Sequence, residues 1–365
     1  MAGRNHGISP DLLIHPGETI SDVLDENGIT QKELAQRSGV SEAFLSDVIH
    51  GKKDISKGLA MGLEYALGVP NSFWLNLQAN YDAELLCLQE EDSIQEEEKL
   101  VLSSIREVVS CLKKNSIIRE DLSQEQTIIE LRRVFRVSSL TRLSTLVPSG
   151  AFRISEKAQV NEDVLGAWLC LCKNQGSEET VVSEFEPERI EELISEIKKI
   201  MLSRSDPQRA LKRLLGQYGI DFSIVQNFRG APVHGYIARK GNGTYRMVLT
   251  LRGSYADIFW FSLFHELGHL VNGDITKTGN YIDAEVSKDG KKEESANQFA
   301  RAALLDPSSF EDFRAAGLFS YASIRTYAQT QGVPPYVVIG RLQKEGLIPW
   351  TWYQKYKTRY KWAEA

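Results

Sequence analysis

Two histidines four residues apart, with a glutamate after the first, form the strongest chemical signal in the sequence: His265-Glu266-Leu267-Gly268-His269. Residues i and i+4 share one face of a helix, one turn apart, so both imidazoles can reach a single ion. Zinc takes imidazole nitrogens at about 2.0–2.1 Å, and a catalytic zinc has three protein ligands and one open position. A carboxylate next to the first histidine stands beside the ion without ligating it. Glu266 is therefore the expected general base, taking a proton from a water that the metal acidifies. The surrounding stretch, SYADIFWFSLFHELGHLVNG, is strongly apolar and reads as a buried helix.

Two imidazoles leave a third ligand to be found. Cysteine is absent nearby, and the next histidine back is His234. Downstream, Glu293-Glu294-Ser295-Ala296-Asn297 lies in a predicted helix that starts near Lys292 and runs to Asp306-Pro307. Glu293 and Asn297 are four apart and share a face. Glu293 is assigned as the third ligand, with Asn297 supporting a ligand imidazole from behind. Glu294, about 100° away on an ideal helix, stays in reserve. Two ordinary readings stand beside this one: a pair of partly exposed histidines on an amphipathic helix, or a zinc that is structural or catalytically silent.

FSLFHELGHLVNGD followed by EESANQFARAALLDP resembles the ImmA/IrrE family of zinc metallopeptidases, over roughly residues 210–340. The resemblance implies Zn2+ held by His265, His269 and Glu293, with Glu266 as general base. It also implies cleavage of a helix-turn-helix repressor, either another protein or this chain itself. The loop at 274–292 is longer and more charged than a minimal member of that family needs, and gating of substrate access is expected of it.

A second motif lies near the N-terminus. Thr30-Gln31-Lys32-Glu33 can cap a helix, with Glu33 completing a capping box. Gly39 supplies a turn, Ser41 caps a second helix, Phe44, Leu45, Val48 and Ile49 form its buried stripe, and Gly51 closes it. This is helix, tight turn, helix. The longer stretch, from HPGETISDVL to FWLNLQANYD over about 12–85, resembles the HigA antitoxin branch of the XRE/Cro-type repressors. That resemblance implies operator binding as a homodimer and a HigB-like toxin partner. By position, Gln31, Ser41, Glu42, Ala43, Ser46 and Asp47 would face DNA, with Lys52, Lys53 and Lys57 near phosphates. The chemistry departs from the pattern: the recognition helix has no Arg or Lys, and Glu42 and Asp47 repel phosphate unless they accept from a cytosine amino group. A protein-binding module without DNA affinity stays open.

Charge bears on the same point. The formal net charge is −6, and residues 1–85 hold six Lys/Arg against twelve Asp/Glu while the remainder is balanced at 37 against 37. Tight nonspecific DNA binding is disfavoured. Length and an ordinary apolar content predict two or three domains with real cores. The expected division is 1–85 helix-turn-helix, 86–210 a helical linker or regulatory region, and 211–365 the zinc peptidase with a helical tail. The predicted fold class is mainly α with a small antiparallel β-sheet (α+β). DFSIVQNF, VHGYIAR and TYRMVLTL supply the strands, separated by RGAP and KGNG. One amphipathic helix is expected through LLCLQEEDSIQEEEKLVLSSIREVVSCLKK, with EEDSIQEEE as a solvated face or helix start, and helical patterns follow at 153–172 and 187–216, with Pro148 and Gly150 as punctuation. No apolar run is long enough for a membrane span, no secretion signal is seen, and Cys87, Cys111, Cys170 and Cys172 read as reduced residues of a cytoplasmic protein. His15 and His50 are expected to cap or lie on the surface. His234 and Tyr236 could stabilise an oxyanion but read more simply as core or surface. Trp350, Trp352, Tyr353, Tyr356, Tyr360 and Trp362 are expected to cover the core or form a subunit contact, with nucleic-acid stacking the lesser reading.

Taken together, two functions are expected from different classes. One is a transcriptional regulator fused to a zinc peptidase. The other is an antitoxin-type repressor whose zinc domain is a sensor or silent.

Overall fold

Side-chain acceptors at successive chain entries start the first helices. The structure, a computed structural model, describes residues 13–147, 160–174, 181, 183–203, 206–241, 243–275, 280–284 and 290–362. The chain forms two compact units, Met1–Gln95 and Glu96–Ala365. In the first, His15 Nδ1 accepts from the Gly17 N–H at 2.9 Å and Pro16 opens α1 (Pro16–Asn27). Thr30 caps α2 (Gln31–Ser38) by accepting from the Glu33 N–H at 3.2 Å, while the Glu33 carboxylate turns to Arg37 instead of completing the box. Gly39 takes φ 72°, and Ser41 caps α3 (Glu42–Ile49). Ser56 caps α4 (Lys57–Leu67), and α5 (Asn71–Asp92) completes the unit. Ile20, Leu34, Leu45, Val48, Leu63 and Trp74 are fully buried in its core.

The amphipathic stretch expected as one helix is broken. After α5 the chain restarts as α6 (Glu96–Ser104) and α7 (Arg106–Lys114). Acidic residues oppose the dipole at a helix C-terminus and suit its first turn, so Glu90-Glu91-Asp92 ends one helix and Glu96, Glu97 and Glu98 begin the next. Glu98 is not solvated. It is 4% exposed, and its Oε2 accepts from Leu140 N–H at 2.7 Å and from Arg132 Nε at 3.1 Å on α8 (Gln124–Phe135). Helix α9 (Glu162–Asn174) is buried from Val164 to Cys172, and α10 (Ile190–Leu202) and α11 (Pro207–Gly216) follow, the latter restarted by an Asp206 cap and Pro207. Pro148, Gly150 and the start of the 153–172 pattern lie outside the described residues. Cys111, Cys170 and Cys172 are free thiols.

The sheet has four strands, β1 (Ile220–Ile224), β2 (Val233–Gly241), β3 (Thr244–Leu249) and β4 (Asn280–Ala284), in the order β1-β3-β2-β4. β2 is antiparallel to β3 and β4, but β1 is parallel to β3, so the sheet is mixed rather than wholly antiparallel. The strand read through Phe228 ends at Ile224, and the connection 225–232, of which only RGAP reads as a turn, spaces β1 and β2 one strand apart, the β2–β3 hairpin returning into the gap. Strand β4 falls in the 274–292 stretch expected as loop; residues 276–279 and 285–289 of that stretch lie outside the described residues. Arg246 fixes the sheet to α9: it donates to Asp221 Oδ1 at 2.9 Å and to the Cys172 carbonyl at 2.9 Å, deep in the unit.

The remaining helices are α12 (Ala256–Val271), α13 (Gly290–Leu304), α14 (Pro307–Ala316), α15 (Tyr321–Thr330) and α16 (Pro335–Lys344). The tail beyond α16 is a short 3-10 turn and extended chain that straps the start of α12. Ala256 N–H donates to the Thr358 carbonyl at 2.9 Å, and Lys357 pairs with Asp257 at 2.8 Å. Tyr353, Tyr356 and Tyr360 pack on the core, whereas Trp350, Trp352 and Trp362 are exposed. Among the described residues no helix is long and apolar enough to cross a membrane.

Candidate metal centre

The sequence of α12 is apolar on every side, and the helix is buried from Ser262 to Leu270. Its glycine sets the site. A Cβ at Gly268 would lie 3.0 Å from Ala296 Cα and 3.1 Å from Ala296 O, so a side chain there would press α13 back by a few tenths of an ångström and glycine lets it cross this closely. Ala296 and Ala300 are fully buried at that crossing. The close approach brings the first turns of α13 to the two histidines.

Three ligand atoms converge there. His265 Nε2 and His269 Nε2 are 3.0 Å apart; Glu293 Oε2 is 3.3 Å from the first, and Glu293 Oε1 is 3.8 Å from the second. The imidazoles are buried and nearly perpendicular, at 85°. Behind them, His265 Nδ1 meets Asn297 Oδ1 at 3.1 Å, and His269 Nδ1 meets Asp274 Oδ2 at 2.8 Å. Both rings thus turn their Nε2 atoms to the cluster. Glu294 points elsewhere: it pairs with Arg301 at 3.0 Å and is half exposed. Burial holds the His269 imidazole below its usual range, helped by neighbouring His265 and opposed by Asp274 and Glu293. The neutral ring, which is the ligand form, is thereby favoured.

Glu266 is 0% exposed and lies under β2. A Cβ at Gly235 would stand 1.9 Å from Glu266 Oε1, so this strand position has room for no side chain. Tyr236, next along β2, is buried edge-on to Trp168 of α9, as a core residue. His234 sits at the irregularity in the β2–β4 register between Val233 and Gly235.

Sequence reasoning missed two residues here. Asp274 follows the helix in a stretch without periodicity, and Gly235 lies 31 positions before Glu266 in the sequence and meets it only when the fold sets β2 over α12. The first could have been found from Gly273-Asp274, a helix-ending glycine followed by a carboxylate.

In the N-terminal unit, Ser41, Glu42, Ala43, Lys52, Lys53 and Lys57 are exposed, and Gln31, Ser46 and Asp47 are partly so. Ser41 caps α3 and Glu42, Ala43, Ser46 and Asp47 lie along it, while Gln31 opens α2, Lys57 opens α4, and Lys52 and Lys53 follow α3. Asp47 is not a bare charge: Lys53 Nζ lies 2.9 Å from its Oδ2 and 5.4 Å over the Phe44 ring. That hydrogen bond and charge hold the Asp47 carboxyl below its ordinary range. His15 caps α1 and packs on Tyr81 at 4.8 Å, and His50 Nδ1 is 2.8 Å from the Ser46 carbonyl at the end of α3. A Cβ at Gly17 would lie 2.2 Å from the Val48 carbonyl oxygen, so the glycine of HPGE lets α1 rest against α3.

Comparison with known proteins bears on this unit. Residues 20–70 match the helix-turn-helix family model. Virulence-associated protein A' of Dichelobacter nodosus is 44% identical over 69 residues, which are 19% of this chain and 60% of that protein, so the chain spans about three-fifths of the length of this curated relative. An antidote protein of a plasmid maintenance system from Nostoc punctiforme is 37% identical, with 22% of this chain and 87% of that chain covered and a TM-score of 0.21. Antitoxin GraA is 30% identical, with 24% and 98% covered and a TM-score of 0.22. Residues 20–70 of the N-terminal unit thus form a helix-turn-helix match.

Proposed function

We propose that this chain is a DNA-binding regulator carrying a zinc-dependent peptidase unit, which hydrolyses peptide bonds in itself or in another regulatory protein. One juxtaposition carries the reading: His265, His269 and Glu293 offer three ligand atoms within 4.8 Å of one another, beside the buried Glu266 carboxylate. The set fits zinc. With bonds of about 2.1 Å a tetrahedral site has ligand–ligand edges of about 3.4 Å; the 3.0 Å between the two Nε2 atoms and the 3.3 Å from Glu293 Oε2 to His265 are close to it, and the other carboxylate oxygen, Oε1, is 3.8 Å from His269. Zinc, when bound, supplies the Lewis acidity that brings water deprotonation toward neutral pH and polarises a substrate carbonyl. Glu266 accepts the water's proton and returns it to the leaving amine. Asn297 and Asp274 hold the imidazoles, and the apolar walls of α12 keep bulk water from the carboxylate.

The test compares wild type with Glu266→Ala for zinc content and for proteolysis of the chain itself and of neighbouring regulators. The reading expects both proteins to hold zinc and only the wild type to cut. Equal cutting by the variant would remove the role of Glu266.

A second reading starts from the helix-turn-helix match of the N-terminal unit and its antidote- and antitoxin-named neighbours: an operator-binding repressor, acting as a homodimer in the cytoplasm beside a HigB-like toxin, in which the metal unit is a sensor or silent. Zinc retention without cutting by either protein would favour it, and salt-dependent binding to the chain's own promoter would establish the operator.

A further inference from the structure

We propose that Asp274 is a positioning residue for His269, and that its carboxylate sets how tightly the centre holds its ion; the inference rests on the metal reading above. The backbone places it. Gly273, at φ 72°, ends α12 in a left-handed turn, and the Asp274 N–H donates back to the His269 carbonyl at 3.0 Å while the Gly273 N–H reaches the Leu270 carbonyl at 3.1 Å. This C-terminal motif returns residue 274 over the last helical turn, where His269 stands. Its carboxylate then lies 2.8 Å from Nδ1, with 8% of the side chain exposed against 0% for the histidine.

Chemistry makes the contact directional. A carboxylate can only accept, so His269 carries its proton on Nδ1 and keeps the Nε2 lone pair for the cluster. His265 is held by the neutral amide of Asn297 instead, at 3.1 Å. The two ligand rings are therefore unequal. A hydrogen bond to an ionised acceptor is shorter and stronger than one to an amide, and it raises the basicity of the opposite nitrogen. His269 is the stronger donor of the pair. A helix C-terminus is also an unfavourable place for a carboxylate, because the dipole there is negative. Stability of α12 alone gives no reason for an acid at 274, whereas orienting His269 does.

The experiment uses the full chain as wild type, Asp274→Asn and Asp274→Ala, with zinc affinity read by competition against a chelating dye and thermal unfolding read on the metal-free proteins. The wild type is expected to bind zinc. Asp274→Asn is expected to bind it about 10–100-fold more weakly, and Asp274→Ala at least as weakly, with the metal-free unfolding midpoint of Asp274→Asn unchanged. Affinity of Asp274→Asn within about threefold of wild type would overturn the proposal. So would a weakened affinity matched by a lowered metal-free midpoint, which marks a structural role. Absence of zinc binding in the wild type would overturn the metal reading itself, and this inference with it, and is told apart by the wild-type arm alone.

Discussion

Gly235→Ala tests the placement of Glu266 without any metal. The new methyl would stand 1.9 Å from Glu266 Oε1, 2.6 Å from Cδ and 2.9 Å from Cγ. Relief to an ordinary contact requires the carboxylate to move by about 1.5 Å, and the side chain is 0% exposed with Gly235 held in register against Leu249. Overpacking of this kind costs about 1–3 kcal/mol. In the Glu266→Ala background the colliding atoms are gone. There the same glycine replacement is neutral or stabilises by about 0.5–1 kcal/mol, because glycine within a strand is entropically unfavourable. The double-mutant cycle should therefore show a coupling of about 1–3 kcal/mol, with the double variant more stable than the two single changes predict. Denaturant unfolding of metal-free protein, followed by tryptophan fluorescence, measures it, since five of the six tryptophans lie in Glu96–Ala365. Additive effects, with coupling below about 0.5 kcal/mol, would refute the placement of Glu266 under β2.

Three further outcomes are expected. Glu98→Ala leaves the partly buried Arg132 and the Leu140 N–H without their carboxylate and should cost about 2–4 kcal/mol at neutral pH; burial pushes the Glu98 carboxyl up, but the Arg132 hydrogen bond and the Leu140 N–H outweigh it and leave it lowered. Because that value is lowered by folding, the stabilisation is full above the ordinary carboxylate range and fades as pH falls through it, so the wild-type advantage in urea midpoint should shrink on acidification. Gly17→Ala drives a methyl to 2.2 Å from the Val48 carbonyl and 2.7 Å from the Ile49 carbonyl, and should melt the N-terminal unit selectively, seen as loss of helical signal at unchanged zinc content. If the helix-turn-helix grips operator DNA, Lys52→Ala and Lys57→Ala should each lower the slope of log affinity against log salt by about one. Lys53→Ala should lower it by less, because Lys53 is already paired with Asp47; equal slopes for all three would contradict that pairing in the complex.

The approach of His265, His269 and Glu293 was legible where periodicity converts spacing into a face. The interval from His265 to His269, and from Glu293 to Asn297, fixes direction along a helix before any tertiary contact is known. What periodicity does not carry was missed. Asp274 depends on a left-handed glycine turn, and Gly235 on a strand crossing a helix. The parallel pairing of β1 with β3 depends on the length of the preceding connection rather than on either strand's composition. Local capping at Thr30 and Ser41 was readable from residue type, since the acceptor and the N–H it satisfies are three residues apart. The competing partners were not: Glu33 goes to Arg37, and Asp47 goes to Lys53, each a choice among exposed charges that several arrangements satisfy. Glu98 looked like one more solvated acid in EEDSIQEEE, and only Arg132 and Leu140, far along the chain, make it a buried one.

Metal content tests the central claim most directly. Purified full-length protein and His265→Ala are stripped with chelator, reloaded with excess zinc, desalted and analysed for bound metal. About one zinc per wild-type chain and almost none in the variant is the predicted result, from the three-ligand site. No zinc in the wild type, or equal zinc in His265→Ala, would contradict it.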